Sequence, residues 1–310
     1  MTVNLLLTGA TGFIGGRVAA AARHHPGVRL RLLSRRPAAE GSPEAAHIRA
    51  DLADPPTLHG CCAGADVLVH CASRVGGDPE TVTAVNDLGT RALVAEAVRS
   101  GVPRIVYVST AAVHGRGPFR GVRPGEVPIA PASATSRSRA AAERYVLDAG
   151  GVVLRPHLVY GRGDRWVVPG LVGLLRELSA TLTGCDARQS MIDADTLGRA
   201  VVAAALSGTA PRPGSVHYVN HPDPVPVPEL LAAVGAQVER SVGTASVDVG
   251  TALARAAGSP RALHHLGMLT VDHWFTDDAF WRELDCPPGP GFAEAFARAA
   301  PWYRTFMAGN

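Results

Sequence analysis

The sequence predicts an α/β fold: a doubly wound parallel sheet joined to a smaller, mostly C-terminal part. Three observations carry this reading. Short apolar runs alternate with longer amphipathic ones through the first half of the 310 residues. A glycine-rich turn, Gly9-x-x-Gly12-x-x-Gly15, ends the first apolar run and opens the first amphipathic one. After Pro156 the alternation loosens and proline-rich connectors take over. Strands alternating with helices of this length pair in parallel through right-handed crossovers.

Taken in order, Val3 to Thr8 reads as the first strand and Gly15 to His24 as a helix. Val28 to Leu33 gives the second strand, and Ala65 to Ala72 a buried one. Thr83 to Ser100 is helical, Arg104 to Ser109 a strand, Ala134 to Leu147 a long helix and Val152 to Arg155 a strand. Beyond a loop at Gly161-Arg162-Gly163-Asp164, helices are expected over Trp166 to Leu178 and Thr196 to Ser207, and a strand over Val216 to Asn220. Residues 221–228 form a proline-rich connector, and the tail from Asp277 to Phe306 reads as helical, its aromatics serving packing. The expected division is a nucleotide-binding part over 1–160, with a returning segment near 190–220, and a substrate part from 161–189 and 221–310.

Bulk composition narrows the function. An apolar fraction of 46% and a charged fraction of 18% describe a globular chain rather than a disordered one. A net charge of +3 without an arginine run interleaved by aromatics gives no footprint for nucleic acid. All 30 basic residues are arginine; the chain has no lysine. Five cysteines, odd in number and without zinc-site spacing, point to a reducing compartment and to no metal centre. The opening apolar run is cut by glycine, which makes it a strand rather than a signal peptide. No stretch approaches the ~18 apolar residues of a membrane span. A cytoplasmic protein without a membrane partner is expected.

The turn Thr8-Gly9-Ala10-Thr11-Gly12-Phe13-Ile14-Gly15 is a dinucleotide seat, because it joins a strand directly to a helix. The first glycine allows the tight turn, the second lets backbone reach the pyrophosphate, and the third lets helix pack on strand. The helix N-terminus then offers N–H groups to the phosphates. Strand two ends in Arg35-Arg36, where an NAD-selective site carries a carboxylate for the ribose hydroxyls. Two guanidiniums suit a 2′-phosphate instead, so the expected cofactor is NADP(H).

With these residues in view, the chain resembles the extended short-chain dehydrogenase/reductases, a group of Rossmann-type enzymes that includes sugar-nucleotide epimerases, dihydroflavonol-type reductases and ketoreductases. Thr8 to Gly15 reproduces that family's TGATGFIG. Asp51-Leu52 matches its adenine-contacting pair, and His70-Cys71-Ala72-Ser73 its strand-four end. Asn86 to Thr90 matches NVxGT, Tyr107 to Gly115 resembles YVSSxxVYG, and Leu154-Arg155-Pro156 with Val159-Tyr160-Gly161 matches RPxxVYG. The resemblance implies nucleotide contacts from Gly9, Thr11, Gly12, Phe13, Ile14, Asp51, Leu52, Cys71, Ala72, Ser73 and Pro156. It implies too that a homodimer can form through the helices holding Asn86 and Arg139.

The family's catalytic Ser or Thr carries over to Thr110. Its YxxSKxxAE helix reads here Thr135-Ser136-Arg137-Ser138-Arg139-Ala140-Ala141-Ala142-Glu143, so Thr135 stands for tyrosine and Arg139 for lysine. Positions four apart still share a helix face. A tyrosine near an ammonium has its pKa of ~10 drawn toward neutrality and can give a proton to an alkoxide. Threonine is far too weak an acid, and arginine does not titrate. Tyr145 lies a further ten residues along the helix from Thr135, on a different face.

Three activities fit this pattern. The best supported is an NADPH-dependent ketoreductase in which Thr110 and Thr135 hydrogen-bond the developing oxyanion and Arg139 fixes the nicotinamide ribose. A small-molecule ketone flanked by an acidic phenol, as in aromatic polyketides made in antibiotic biosynthesis, needs little acid from the protein. His114 and His157 are the protein's own candidate proton donors, each with a structural role as the plainer alternative. The second activity is an NADP(H)-binding sensor or scaffold without turnover. The third is a sugar-nucleotide epimerase or dehydratase, which needs the missing base at its first step.

Overall fold

The computed structural model describes residues 2–35, 46–208, 211–239 and 245–309. Seven parallel strands make the central sheet: β1 (Val3–Thr8), β2 (Val28–Ser34), β3 (Ala46–Arg49), β4 (Val67–His70), β5 (Arg104–Val108), β6 (Val152–Arg155) and β7 (Val216–Tyr218). They lie in the order β7-β6-β5-β4-β1-β2-β3, which reverses direction at β1 and β4. Ligands of such sheets bind outside the carboxyl ends of the strands at that switch point.

Both faces of the sheet are covered, which is why its strands are apolar runs rather than alternating ones. Leu5 and Leu7 of β1 face a cluster completed by Val18 and Ala22 of α1 (Phe13–Arg23) and Leu197 and Val201 of a returning helix. Leu6 faces the opposite way, toward Leu93 of α2 (Gly89–Arg99) and Val146 of α3 (Ala134–Asp148). The returning helix is α4 (Ala194–Leu206). It lies so close to α1 that a Cβ on Gly198 would come 2.8 Å from the Arg17 carbonyl oxygen.

A second core gathers Leu171, Leu175, Leu230, Leu266 and Phe296 from helices Val167–Leu178, Val227–Gln237, Pro260–Leu269 and Phe292–Ala308. Beside it runs a small sheet ordered Val225–Pro226, Arg188–Gln189, His273–Phe275 and Phe119–Val122. Phe119–Val122 belongs to the first half of the chain in sequence and to this second sheet in space. The expected helical tail is two helices, Asp278–Glu283 and Phe292–Ala308, separated by a stretch holding Pro287, Pro288, Gly289 and Pro290. Proline lacks the N–H a helix interior needs. Phe280, Trp281 and Leu284 pack in the sheet core, Phe292, Phe296 and Tyr303 in the second one. No helix among the described residues is long and apolar enough to cross a membrane.

Candidate nucleotide site and reacting corner

The glycine loop is shaped by backbone contacts. Gly9 has φ +77°, and a Cβ there would sit 2.6 Å from the Ala72 backbone nitrogen, beyond the end of β4. Gly15 was expected to make room for helix against strand; what it meets is the loop itself, the carbonyl group of Gly9. The Gly12 N–H donates to the Gly9 carbonyl at 2.9 Å. Gly12 is also the N-cap of α1, which has no side-chain cap and no acidic residue in its first turn. An uncapped positive helix end of this kind suits a phosphate. Thr11, Phe13 and Ile14 occupy that entry.

The floor under the loop is neutral and hydrogen-bonded. The Ala72 N–H donates to Thr8 Oγ1 at 3.2 Å, Thr8 Oγ1 pairs with His70 Nδ1 at 2.6 Å, and His70 Nε2 with Thr90 Oγ1 at 2.9 Å. Burial, helped by the charge of Arg139, pushes the His70 pKa down to about 3. Burial pushes the Cys71 thiol up to about 12, so this wall carries no charge. Ser73 Oγ donates to Asn86 Oδ1 at 3.3 Å. Asn86 sits in a π-helical turn, Ala84–Leu88, between Pro79–Thr83 and α2, and its Nδ2 donates to the Arg74 carbonyl and to Ser138 Oγ of α3. Such turns commonly mark functional sites. Asp51 Oδ1 accepts from the Ala53 N–H at 3.0 Å, and Leu52 is buried behind it. Arg35 is exposed just past β2, whereas Arg36 lies outside the described residues. The buried Pro156 offers its carbonyl to the Ala111 N–H at 2.9 Å.

Thr110, Thr135 and Arg139 project from two neighbouring supports, the first from a short turn and the other two from α3. Thr110 caps the short turn Ala111–His114, its Oγ1 accepting from the Ala112 N–H at 3.2 Å. Thr135 Oγ1 accepts from the Gly76 N–H at 3.3 Å. Neither hydroxyl proton has an acceptor among the described residues, so both remain free to donate. A capping box between Ser133 and Ser136 starts α3 and sets residues 135 and 139 one turn apart. Arg139 Nη2 donates to the Val108 carbonyl, and the guanidinium carbon lies 5.9 Å from the Tyr107 ring centre. Arg139 Nε is buried without a partner. An orphaned donor of this sort fits a ligand oxygen.

Of the five tyrosines, Tyr107 lies against Arg139, and the other four are held by other partners. The Tyr107 ring is buried, Tyr145 donates to Asp87 Oδ1 at 2.9 Å, Tyr160 packs on Phe292, Tyr218 bonds His114, and Tyr303 donates to Asp164. Burial holds all five above the usual phenol range, with Tyr218 pushed up to about 12.

The two histidines offered as proton donors are a correction. His114 Nδ1 is bound to the Pro128 carbonyl at 2.8 Å, which leaves Nε2 to accept from the Tyr218 hydroxyl at 2.8 Å. Burial lowers its pKa, against the Pro128 hydrogen bond, which raises it. Burial and the neighbouring His273 push His157 down to about 3. In both, the ring N–H is engaged, by the Pro128 carbonyl and by Gln189 Oε1, and burial disfavours the charged form. A network that sequence reasoning missed underlies them. Glu143 takes two hydrogen bonds from Arg155, at 2.9 and 2.6 Å, and one from Ser109, while Arg155 Nη1 reaches His114 Nε2 at 3.2 Å. The signal was present as a charge ending the apolar strand Val152–Arg155. Among the described residues no group of three or more His, Cys, Asp or Glu side chains could hold a metal ion.

Residues 5–217 match the NAD dependent epimerase/dehydratase family. The chain is 30% identical over 281 residues to 2-alkyl-3-oxoalkanoate reductase of Stenotrophomonas maltophilia, covering 81% of this chain and 84% of that protein. It is 33% identical over 166 residues to dTDP-glucose 4,6-dehydratase of Streptomyces antibioticus, covering 47% and 48%. In fold it is similar to the enzyme WbmH of Bordetella bronchiseptica, solved with NAD+, with a TM-score of 0.78, 20% identity, and 99% and 100% of the two chains covered. The glycine seat, the switch-point geometry and a match across more than half the chain agree: the protein belongs to the NAD dependent epimerase/dehydratase family.

Proposed function

We propose that this protein is an NADPH-dependent ketoreductase acting on a small-molecule ketone, with an aromatic polyketide-type carbonyl as the substrate class. The observation that carries the reading is the reacting corner. Two hydroxyl protons without acceptors, on Thr110 and Thr135, adjoin Arg139, whose Nε lacks a partner. Preorganised donors stabilise charge that develops on a carbonyl oxygen during reduction. The same corner holds no group titrating near neutrality, so it is poorly equipped to begin by deprotonating an alcohol, as an epimerase or dehydratase would. The cofactor supplies the hydride. Arg139 and the uncapped end of α1 hold its ribose and phosphates, and Arg35 with Arg36 favours the 2′-phosphate. The proton comes from solvent or from an acidic hydroxyl on the substrate. A reductase name on the relative matched along most of the chain supports this direction.

The test is NADPH consumption by purified protein with a panel of aromatic and hydroxyaryl ketones. Steady oxidation of NADPH with at least one ketone is expected. Tight NADPH binding with no turnover across the panel would overturn the proposal in favour of a sensor. Arg35→Ala should raise the NADPH KM about tenfold, a loss of roughly 1.4 kcal/mol, and leave the NADH value unchanged. Equal use of both cofactors by the native protein would remove the 2′-phosphate assignment.

A further inference from the structure

The residue after Pro156 combines features that the reduction itself does not use. His157 stacks on His273, with ring centres 5.4 Å apart and planes 8° apart, and packs against Phe275 at 5.7 Å. Its Nε2 lies 3.2 Å from Gln189 Oε1. Gln189 is fully buried, and its Nε2 donates to the carbonyls of Met268 at 3.2 Å and Val271 at 2.9 Å. That orientation leaves only oxygen facing the ring, so His157 Nε2 carries the hydrogen and Nδ1 carries the lone pair. His157 Nδ1 has no hydrogen-bond partner among the described residues, and the residue is half-buried rather than sealed.

Asn220 completes the arrangement. Its Oδ1 accepts the His157 backbone N–H at 2.8 Å, which fixes the amide with Nδ2 as the remaining donor. Asn220 is 3% exposed, and Nδ2 has no partner. A free acceptor and a free donor therefore occur on two residues that hold each other. Native proteins leave few buried atoms such as Asn220 Nδ2 unsatisfied. The Ala111 N–H to Pro156 carbonyl bond sets this pair next to the strand end that carries Thr110.

We propose that His157 and Asn220 select ketones bearing a hydroxyl group, Nδ1 accepting the hydroxyl proton and Nδ2 donating to its oxygen. This rests on the ketoreductase reading and names the substrate feature that reading leaves open. The groups facing the His157 ring are His273, Gln189 and Phe275. Burial lowers the His273 pKa too, and its Nδ1 and Nε2 are engaged by the Val271 carbonyl and the Gly117 N–H. No carboxylate bonds to His157, so the acceptor persists across the physiological range.

Hydroxyacetophenones and their methyl ethers, compared on the full chain with NADPH, test the proposal. The native protein should favour the hydroxy compounds by about tenfold or more in kcat/KM. His157→Phe, which keeps a ring against His273, should bring that ratio close to one. Equal use of both series by the native protein, or a preference that survives in His157→Phe, overturns the assignment. If no ketone is reduced, the ketoreductase reading fails by itself. Calorimetric binding of the same compounds to the NADP+-loaded protein then decides: preference for the hydroxy compounds, lost in His157→Phe, upholds the recognition site, and equal binding sinks it.

Discussion

The glycine loop and the reacting corner lie at the ends of the same parallel strands, yet they are built from different material. The loop is held by backbone: Gly9 against Ala72, Gly15 against Gly9, and an uncapped helix end. The corner is held by side chains: Thr110 on a 3₁₀ turn, Thr135 on the Gly76 N–H, and Arg139 on the Val108 carbonyl. Backbone shape tolerates few replacements. Side-chain chemistry can be exchanged while the helix that presents it stays in place. Binding and reaction are thus separable properties of one sheet end.

The largest expected effect tests what lies beneath the corner. Glu143→Ala leaves Arg155, at 5% exposure, without its carboxylate. Stability should fall by about 3–5 kcal/mol, read from urea unfolding. A loss within 1 kcal/mol would show that the network is dispensable.

Next comes the loop. Gly15→Ala drives a methyl group into the Gly9 carbonyl and should weaken NADPH binding about a hundredfold, or ~2.7 kcal/mol, in a fluorescence titration. Thr135→Ala, in contrast, should leave NADPH binding intact and lower kcat about tenfold. If both variants lost binding equally, the separation of seat and corner would collapse.

The most gradual effect, spread over several pH units, concerns their shared floor. His70 has a folded pKa near 3, against an ordinary value of 6.5. Below pH 6.5 the unfolded chain takes up a proton that the folded chain refuses. Stability present above 6.5 is therefore lost as pH falls toward 3, by at most about 1.4 kcal/mol per pH unit. His70→Gln should flatten that slope in melts between pH 4 and 6; an unchanged slope would mean that His70 is already charged.

Much of the nucleotide part was legible because its signals are local. Val3–Thr8 and Val152–Arg155 are continuous apolar runs that end where turn residues or a charge begin, and both have the expected bounds. Phe119–Val122 and Arg188–Gln189 were not legible. They are two to four residues long, and Phe119–Val122 pairs with a strand about 150 positions away. The positions of Thr110, Thr135 and Arg139 followed from resemblance. The unpartnered Arg139 Nε and the Gln189 orientation did not, because each depends on where distant backbone carbonyls fall.

The divided tail has a mechanical consequence. One half is anchored in the sheet core through Phe280 and Trp281, the other in the second core through Phe296 and Tyr303. Trp281 Nε1 also donates to the Asn220 carbonyl at 3.1 Å. The tail thus works as a tie-rod between the two cores, and one of its rivets is the residue next to His157. On the proposed ketoreductase reading, substitutions along it would detune which ketone is accepted before they loosened the glycine loop.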